Sequence, residues 1–395
     1  MKIGIDLTFL NNYSIHQGVH TYAKGLLEGL EKKKNIKFQI YIDTSLSLDF
    51  LKKFRNKKNF KIIYIKKNYK LLKKLVESFY IFFGLLNFHP FKIHYFLTNI
   101  LNKNFKKIVE KNSDKMIFIN VNENHYNLNC KSIINFHDLL HEKKPELLTI
   151  KQRIIRKLTY YNSAKYTSKI VASSNTMKND FLKTFKFLNN RKIIYINEGV
   201  DLKVFKFSKI ETKIKRKYNL PKKYIFFPAQ LWKHKNHLII LKQFRDDKYL
   251  KSLNYNLVLT GGKKNNSKQI FDFIKLYNLK NVIYLGKVEI KDYIKIFSAA
   301  DFLIEATSYT SSSLPIIEAA ALKKIIISSN IPVLKEMGRT FKIFYFDLNK
   351  TNLGQIIQNI SKKKYKSILD YNFKMVKKFS WEKVGEKYIK EIINI

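Results

Sequence analysis

Short runs of apolar and β-branched residues recur along the whole chain, each separated from the next by a segment long enough for a helix. A first series comprises Ile3–Phe9, Phe38–Asp43, Lys61–Ile65, Met116–Val121, Ile133–Phe136, Lys169–Ala172 and Ile193–Ile196. A second comprises Tyr224–Pro228, Asn256–Leu259, Val282–Leu285, Phe302–Ile304, Ile325–Ser328 and Ile343–Phe346. Most of these runs are continuous rather than alternating with polar residues, the pattern of strands buried on both faces of a parallel sheet, so the fold class is α/β. Two series predict two doubly wound domains. The break is expected near Glu198-Gly199-Val200-Asp201, giving domains over 1–200 and 201–374. No repeat or low-complexity linker intervenes, so the domains are expected to abut, with a ligand in the crevice between them.

The stretch from Phe302 to Asn330 concentrates the chemistry. The apolar run leads into Thr307, Ser308, Tyr309, Thr310, Ser311, Ser312 and Ser313, seven hydroxyl side chains in a row, then into Leu314-Pro315-Ile316-Ile317-Glu318 and an alanine run. This reads as strand, loop, helix. Ser313 suits an N-cap and Pro315 the first turn, so the backbone N–H groups and the positive end of the helix dipole would face the loop and suit a phosphate. Glu318, about one turn in, can accept hydrogen bonds from a sugar diol. A capped helix in an ordinary α/β unit would read the same way.

Other candidates sit after strands. In the first domain a polar loop from Asn11 to Gln17 leads to Gly18 and a helix through Leu26, Leu27 and Leu30; a glycine there admits a ligand close to the backbone. The G-x-G-x-x-G fingerprint is absent, which disfavours NAD and FAD. His137 falls just past a strand's carboxyl end, where it can donate to a sugar hydroxyl or polarise a reacting group. His137 and His141, with Asp138 and Glu142, also have the residue types of a metal site, although the order is not H-E-x-x-H; capping or packing is a further reading of His137. In the second domain Tyr224–Pro228 runs into Ala229-Gln230-Leu231-Trp232-Lys233-His234-Lys235-Asn236-His237, a cationic loop that would present Lys235 and Lys233 to phosphate oxygens. Gly261-Gly262 closes another strand at the same edge.

Composition changes this picture in two ways. With 395 residues, 45% of them hydrophobic and 14% aromatic, a disordered chain is excluded. The formal charge of +46 attracts polyanions and leaves a basic nucleic-acid-binding protein as an alternative, yet lysine, asparagine and isoleucine are abundant everywhere, as an AT-rich genome would produce. The distribution says more. Leu51 to Leu75 carries eleven Lys or Arg and no acid, and the apolar run Phe79–Phe88 follows. That run is too short for a spanning helix, which needs about 20 residues, and suits either a segment lying on an anionic membrane or a core helix between basic faces. Cys130 is the single cysteine and forbids an internal disulfide; the N-terminus enters a strand rather than a signal peptide, so a cytoplasmic location is expected.

Taken together, the Gly18 loop, His137-Asp138-Leu139 with Pro145-Glu146, Val171-Ala172-Ser173-Ser174, Asn197-Glu198-Gly199-Val200-Asp201, Trp232-Lys233-His234-Lys235-Asn236-His237 and Leu314-Pro315-Ile316-Ile317-Glu318-Ala319 resemble family 4 of the retaining glycosyltransferases, the group 1 type. The resemblance implies the GT-B fold, two Rossmann-like domains facing a central cleft. The first would bind the acceptor and the second the nucleotide sugar. Phe379-Ser380-Trp381-Glu382 resembles the family's C-terminal helix, so residues 375–395 would cross back onto the first domain.

The implied activity is metal-independent, retaining transfer of a sugar from a nucleotide diphosphate sugar to a glycan or lipid-linked acceptor, with no cofactor, in surface glycan or lipopolysaccharide assembly at the inner face of a membrane. By position Lys235 would bind the diphosphate, Glu318 the ribose and His137 the donor sugar. Gly18, Gln230, Lys233, Gly261, Thr310, Ser312, Ser313 and Leu314 would line the donor site. The absence of a D-x-D pair agrees with metal independence. Two positions depart from the family. Its E-x7-E pair would place a glutamate at Thr310, and its phosphate-binding arginine is Gln230 here. A catalytically defective nucleotide-sugar-binding protein is therefore the second reading.

Overall fold

The structure is a computed structural model that describes residues 1–10, 18–46, 48–66, 70–86, 89–122, 128–206, 212–350, 352–361 and 365–395. The chain divides into two compact units, Met1–Glu198 with Trp381–Ile395, and Gly199–Ser380.

In the first unit β1 (Lys2–Asp6), β2 (Lys37–Asp43), β3 (Phe60–Ile65), β4 (Lys115–Phe118), β5 (Lys131–Asn135), β6 (Lys169–Ala172) and β7 (Ile193–Tyr195) form one parallel sheet in the order β3-β2-β1-β4-β5-β6-β7. Successive side chains of a strand point to opposite faces. Accordingly Ile117 and Ile119 join one apolar cluster while Met116 and Phe118 join the other. Both faces are covered, which is why these strands read as unbroken apolar runs. The run expected to reach Phe9 stops at Asp6, because the Asp6 carboxylate accepts from the backbone N–H of Thr8 at 2.9 Å and its hydroxyl at 2.7 Å and turns the chain out of the sheet.

The helices Gly18–Leu30 and Trp381–Ile393 pack face to face in this unit. Glycine makes that contact. A Cβ on Gly25 would lie 2.0 Å from the Trp381 ring, and one on Gly29 2.0 Å from the Trp381 carbonyl oxygen. The return to this unit begins at Trp381 rather than at 375, since Val376 is buried among the apolar residues of the second unit.

The basic stretch Leu51–Leu75 does not form one surface segment. Its described part splits into a 3-10 turn (Asp49–Phe54), β3 and the start of the helix Lys70–Leu85, and Lys53 and Lys57 pair with Glu28 and Glu31 at 2.8 and 2.7 Å. The helices Lys70–Leu85 and Phe91–Leu101 lie against Ile150–Tyr166. They leave Phe82, Leu85, Leu86, Phe96 and Ile100 more than half exposed, at 61, 59, 64, 63 and 54%. Among the described residues no helix is long and apolar enough to cross a membrane. Asn87 and Phe88 lie outside the described residues.

The second unit repeats the plan. Its strands β8 (Tyr224–Pro228), β9 (Asn256–Thr260), β10 (Val282–Tyr284), β11 (Phe302–Glu305), β12 (Ile325–Ser329) and β13 (Phe344–Phe346) are parallel in the order β10-β9-β8-β11-β12-β13. In each sheet the order runs third, second, first, fourth, fifth, sixth, so that the winding reverses between the first and fourth strands. Ligands of such sheets bind at the carboxyl ends beside that reversal. Here it lies between β1 and β4 in one unit and between β8 and β11 in the other.

Candidate active site

The two loops that leave β8 and β11 are joined into one rim. After β8 a 3-10 turn over Lys233–Lys235 ends at Asn236, which adopts the left-handed conformation with φ 57°. The Asn236 side-chain amide donates to the Ala306 carbonyl at 2.8 Å, and the His234 carbonyl accepts from the Ser308 N–H at 2.8 Å and the Thr307 hydroxyl at 3.2 Å. The cationic loop and the hydroxyl run are thus held to each other through backbone groups. Lys235 Nζ lies 3.5 Å from Glu305 Oε1 at the end of β11, and the Ser313 hydroxyl donates to Glu305 Oε2 at 2.9 Å.

Ser313 does occupy the N-cap position of the helix Leu314–Ala321, but its side chain makes no capping bond, because the hydroxyl is turned to Glu305. The helix start therefore keeps the character of an anion site, with backbone donors and dipole facing the rim. Glu318 is buried, and its Oε2 accepts from the Tyr293 hydroxyl at 2.6 Å. Burial first, and then the Glu318 charge, push the Tyr293 hydroxyl well above its ordinary range; it stays protonated and fixes the carboxylate.

The remaining residues expected at the donor site are spread around this rim. The Thr310 hydroxyl donates to the Ser312 carbonyl, so it closes its own loop. Gln230 Oε1 accepts from the Trp232 indole at 3.2 Å, and Lys233 is exposed. Gly261 has φ 134°, and a Cβ there would lie 2.4 Å from the Ala229 carbonyl oxygen, so glycine is required where the exits of β8 and β9 pass. Leu314 is the first residue of the helix.

In the first unit, His137 follows β5 and is half-buried, with its ring edge against Tyr22 at 5.1 Å. Its Nε2 lies 2.8 Å from the Ile119 carbonyl oxygen. A carbonyl only accepts, so Nε2 carries the proton; burial holds the ring pKa below its usual 6.5, and the imidazole is neutral with Nδ1 as an acceptor. The expectation that His137 donates to a sugar hydroxyl is reversed in sense, because its one N–H is taken. His141 is buried against the Tyr160 ring at 4.5 Å, and Asp138 is held by Arg156 and the Leu140 N–H. Among the described residues no three His, Cys, Asp or Glu side chains come together as a metal site. Gly18 opens its helix, while the loop from Asn11 to Gln17 lies outside the described residues.

Residues 209–369 match the profile of the family described as Glycosyl transferases group 1. The second unit is a group 1 glycosyltransferase domain. No curated protein sequence matches the chain. HepE of Anabaena, solved in complex with UDP and glucose, resembles it with a TM-score of 0.73 at 12% identity over 100% of both chains. Sucrose-phosphate synthase from Thermosynechococcus elongatus gives 0.72 at 14% over 100% of this chain and 98% of that one. The lipopolysaccharide outer core galactosyltransferase WaaB gives 0.62 at 13% over 100% and 99%. At such identities the likeness is one of fold, and the fold is GT-B.

Within the group 1 domain, Lys235, Ser313 and the hydroxyl loop gather at the β8–β11 reversal, and Glu318 stands one turn into the helix beside them. Two members of the site were not singled out from sequence. Glu305 breaks an apolar run at a strand's carboxyl end, a signal that was legible there. Tyr293 lies on the helix Ile290–Ala299, distant in sequence from everything it serves, and only the tertiary fold shows its role.

Proposed function

We propose that the protein is a retaining glycosyltransferase that moves a sugar from a nucleotide diphosphate sugar to an acceptor hydroxyl without a metal. The observation that carries this reading is the meeting of Lys235 and the uncapped start of the Leu314–Ala321 helix at the strand reversal of a group 1 domain. In the transition state negative charge develops on the departing diphosphate. A preorganised ammonium and helix N–H dipoles answer it, each such donor being worth about 10²–10³ in rate. Glu318, oriented by Tyr293, accepts from the ribose hydroxyls, and neutral His137 accepts a sugar hydroxyl at Nδ1.

HepE was solved with UDP-glucose, which supports a nucleotide sugar donor for this chain, and WaaB is a lipopolysaccharide outer core galactosyltransferase, which supports a surface glycan or lipid-linked acceptor. The exposed Phe82, Leu85, Leu86, Phe96 and Ile100, with Lys92, Lys103 and Lys107 exposed on the same stretch of chain, fit peripheral contact with the anionic inner face of a membrane. The test is transfer from UDP-, GDP- and ADP-sugars. Lys235→Ala and Glu318→Ala are expected to abolish it while the protein stays folded, and full activity in both removes the assignment. Binding of a nucleoside diphosphate without turnover of any donor would instead support the non-catalytic reading, with Thr310 in place of the pair's first glutamate.

A further inference from the structure

Glu305 has no role in the reaction as set out above, yet it touches two of the groups that do. It ends β11, the neighbour of β8, and its side chain is 3% exposed. A carboxylate is retained in such a place only when it is paired, and here its oxygens face the Lys235 ammonium at 3.5 Å and the Ser313 hydroxyl at 2.9 Å. Lys235 keeps 21% of its side chain exposed, so an anion arriving from solvent meets the ammonium on the side away from Glu305. A phosphate bound there would stand about 6 Å from the carboxylate, and at an effective dielectric between about 40 and 20 the repulsion of two unit charges weakens its binding by between about tenfold and a hundredfold. What Glu305 adds by steadying the lysine is part of that side chain's rotamer entropy, worth only about a few-fold in affinity. Repulsion wins.

We propose that Glu305 is a built-in counter-charge that loosens the hold of Lys235 and the helix tip on the nucleoside diphosphate product and so speeds its release. The inference rests on the donor reading above. It explains why a site that combines Lys233, Lys235 and a helix start, in a chain of formal charge +46, would keep a buried acid at its centre. Glu305 touches neither the substrate nor the reacting atoms; its charge acts on the bound phosphate from behind the Lys235 ammonium.

The test compares the wild-type chain with Glu305→Gln, which keeps the shape and an acceptor for Ser313 and removes the charge. Calorimetric titration with UDP, GDP, ADP and inorganic pyrophosphate should show the diphosphate that binds wild type binding the variant about tenfold tighter or more. Under steady state, kcat and the donor KM should fall together. Glu305→Asp, which keeps the charge, should stay within about threefold of wild type in affinity. Should Glu305→Gln not fold, Glu305→Met removes the charge with an apolar side chain of like length and is read the same way. Unchanged or weaker affinity in a folded charge-free variant overturns the inference alone. So does failure of both variants to fold, which would make Glu305 a purely structural acid. Absence of any diphosphate binding by wild type overturns the donor reading and this inference with it.

Discussion

Asp6 ends β1 and Glu305 ends β11, and both carboxylates are buried at the carboxyl edge of a parallel sheet beside its reversal. Asp6 accepts from the Thr8 N–H and hydroxyl and from the Asn122 amide at 2.8 Å, so neutral donors from the exits of β1 and β4 hold it. Glu305 faces a partly exposed ammonium. Neutral, inward donors make the first acid part of the scaffold, whereas a partner that can be drawn toward an incoming anion makes the second responsive. One strand order thus carries a braced edge in the first unit and a charged, partly exposed edge in the second.

That contrast can be broken by exchanging the outcomes of two substitutions. Lys235→Ala should lower kcat/KM by about 10²–10³ or more and cost less stability than loss of Asp6, since Glu305 keeps the Ser313 hydroxyl. Asp6→Ala should do the opposite, costing roughly 2–4 kcal/mol in denaturant unfolding because Thr8 and Asn122 lose their acceptor. A stability loss for Lys235→Ala as large as that for Asp6→Ala would erase the distinction. Scaffold character extends to the helix pair of the first unit. Gly29→Val places a Cβ against the Trp381 carbonyl and should cost about 3 kcal/mol, while leaving nucleotide binding intact in whatever fraction is folded.

Acid tests both units alike. Burial holds His141, against Tyr160, and His237, stacked on Phe227 at 4.4 Å, down to about 3. The unfolded chain takes up those protons first, so their contribution is complete above about pH 6.5 and is lost as pH falls toward 3. Between pH 7 and 5 each should cost about 2 kcal/mol, and His237→Phe should flatten its share in urea titrations at the two pH values. The smallest effect sharpens the second edge. Tyr293→Phe removes the bond to Glu318 and should raise the donor KM about fivefold with little change in kcat, since one neutral donor to a carboxylate is worth about 1 kcal/mol.

The layered fold was legible because a strand buried on both faces must be apolar throughout; Tyr224 and Phe226 face one cluster while Ile225 and Phe227 face the other. The loops that hold Lys235 and Ser313 were legible for a related reason, since each follows a strand directly. What escaped was side-chain direction. Ser313 looks like a cap, and only the position of Glu305 shows that its hydroxyl turns inward. His137 looks like a donor, and only the Ile119 carbonyl fixes its tautomer. Thr310 looks available to a ligand, but its hydroxyl is turned to the carbonyl of Ser312. These are contacts between residues whose meeting depends on turn geometry, which periodicity does not encode.

In the proposed reaction the Lys235 ammonium and the helix start hold a diphosphate. Isothermal titration of wild type and Lys235→Ala, with whichever of UDP, GDP and ADP raises the wild-type melting temperature most, tests it directly. A dissociation constant about a hundredfold higher in Lys235→Ala, in a variant that stays folded, is the predicted result. Equal affinity in the two proteins would contradict it.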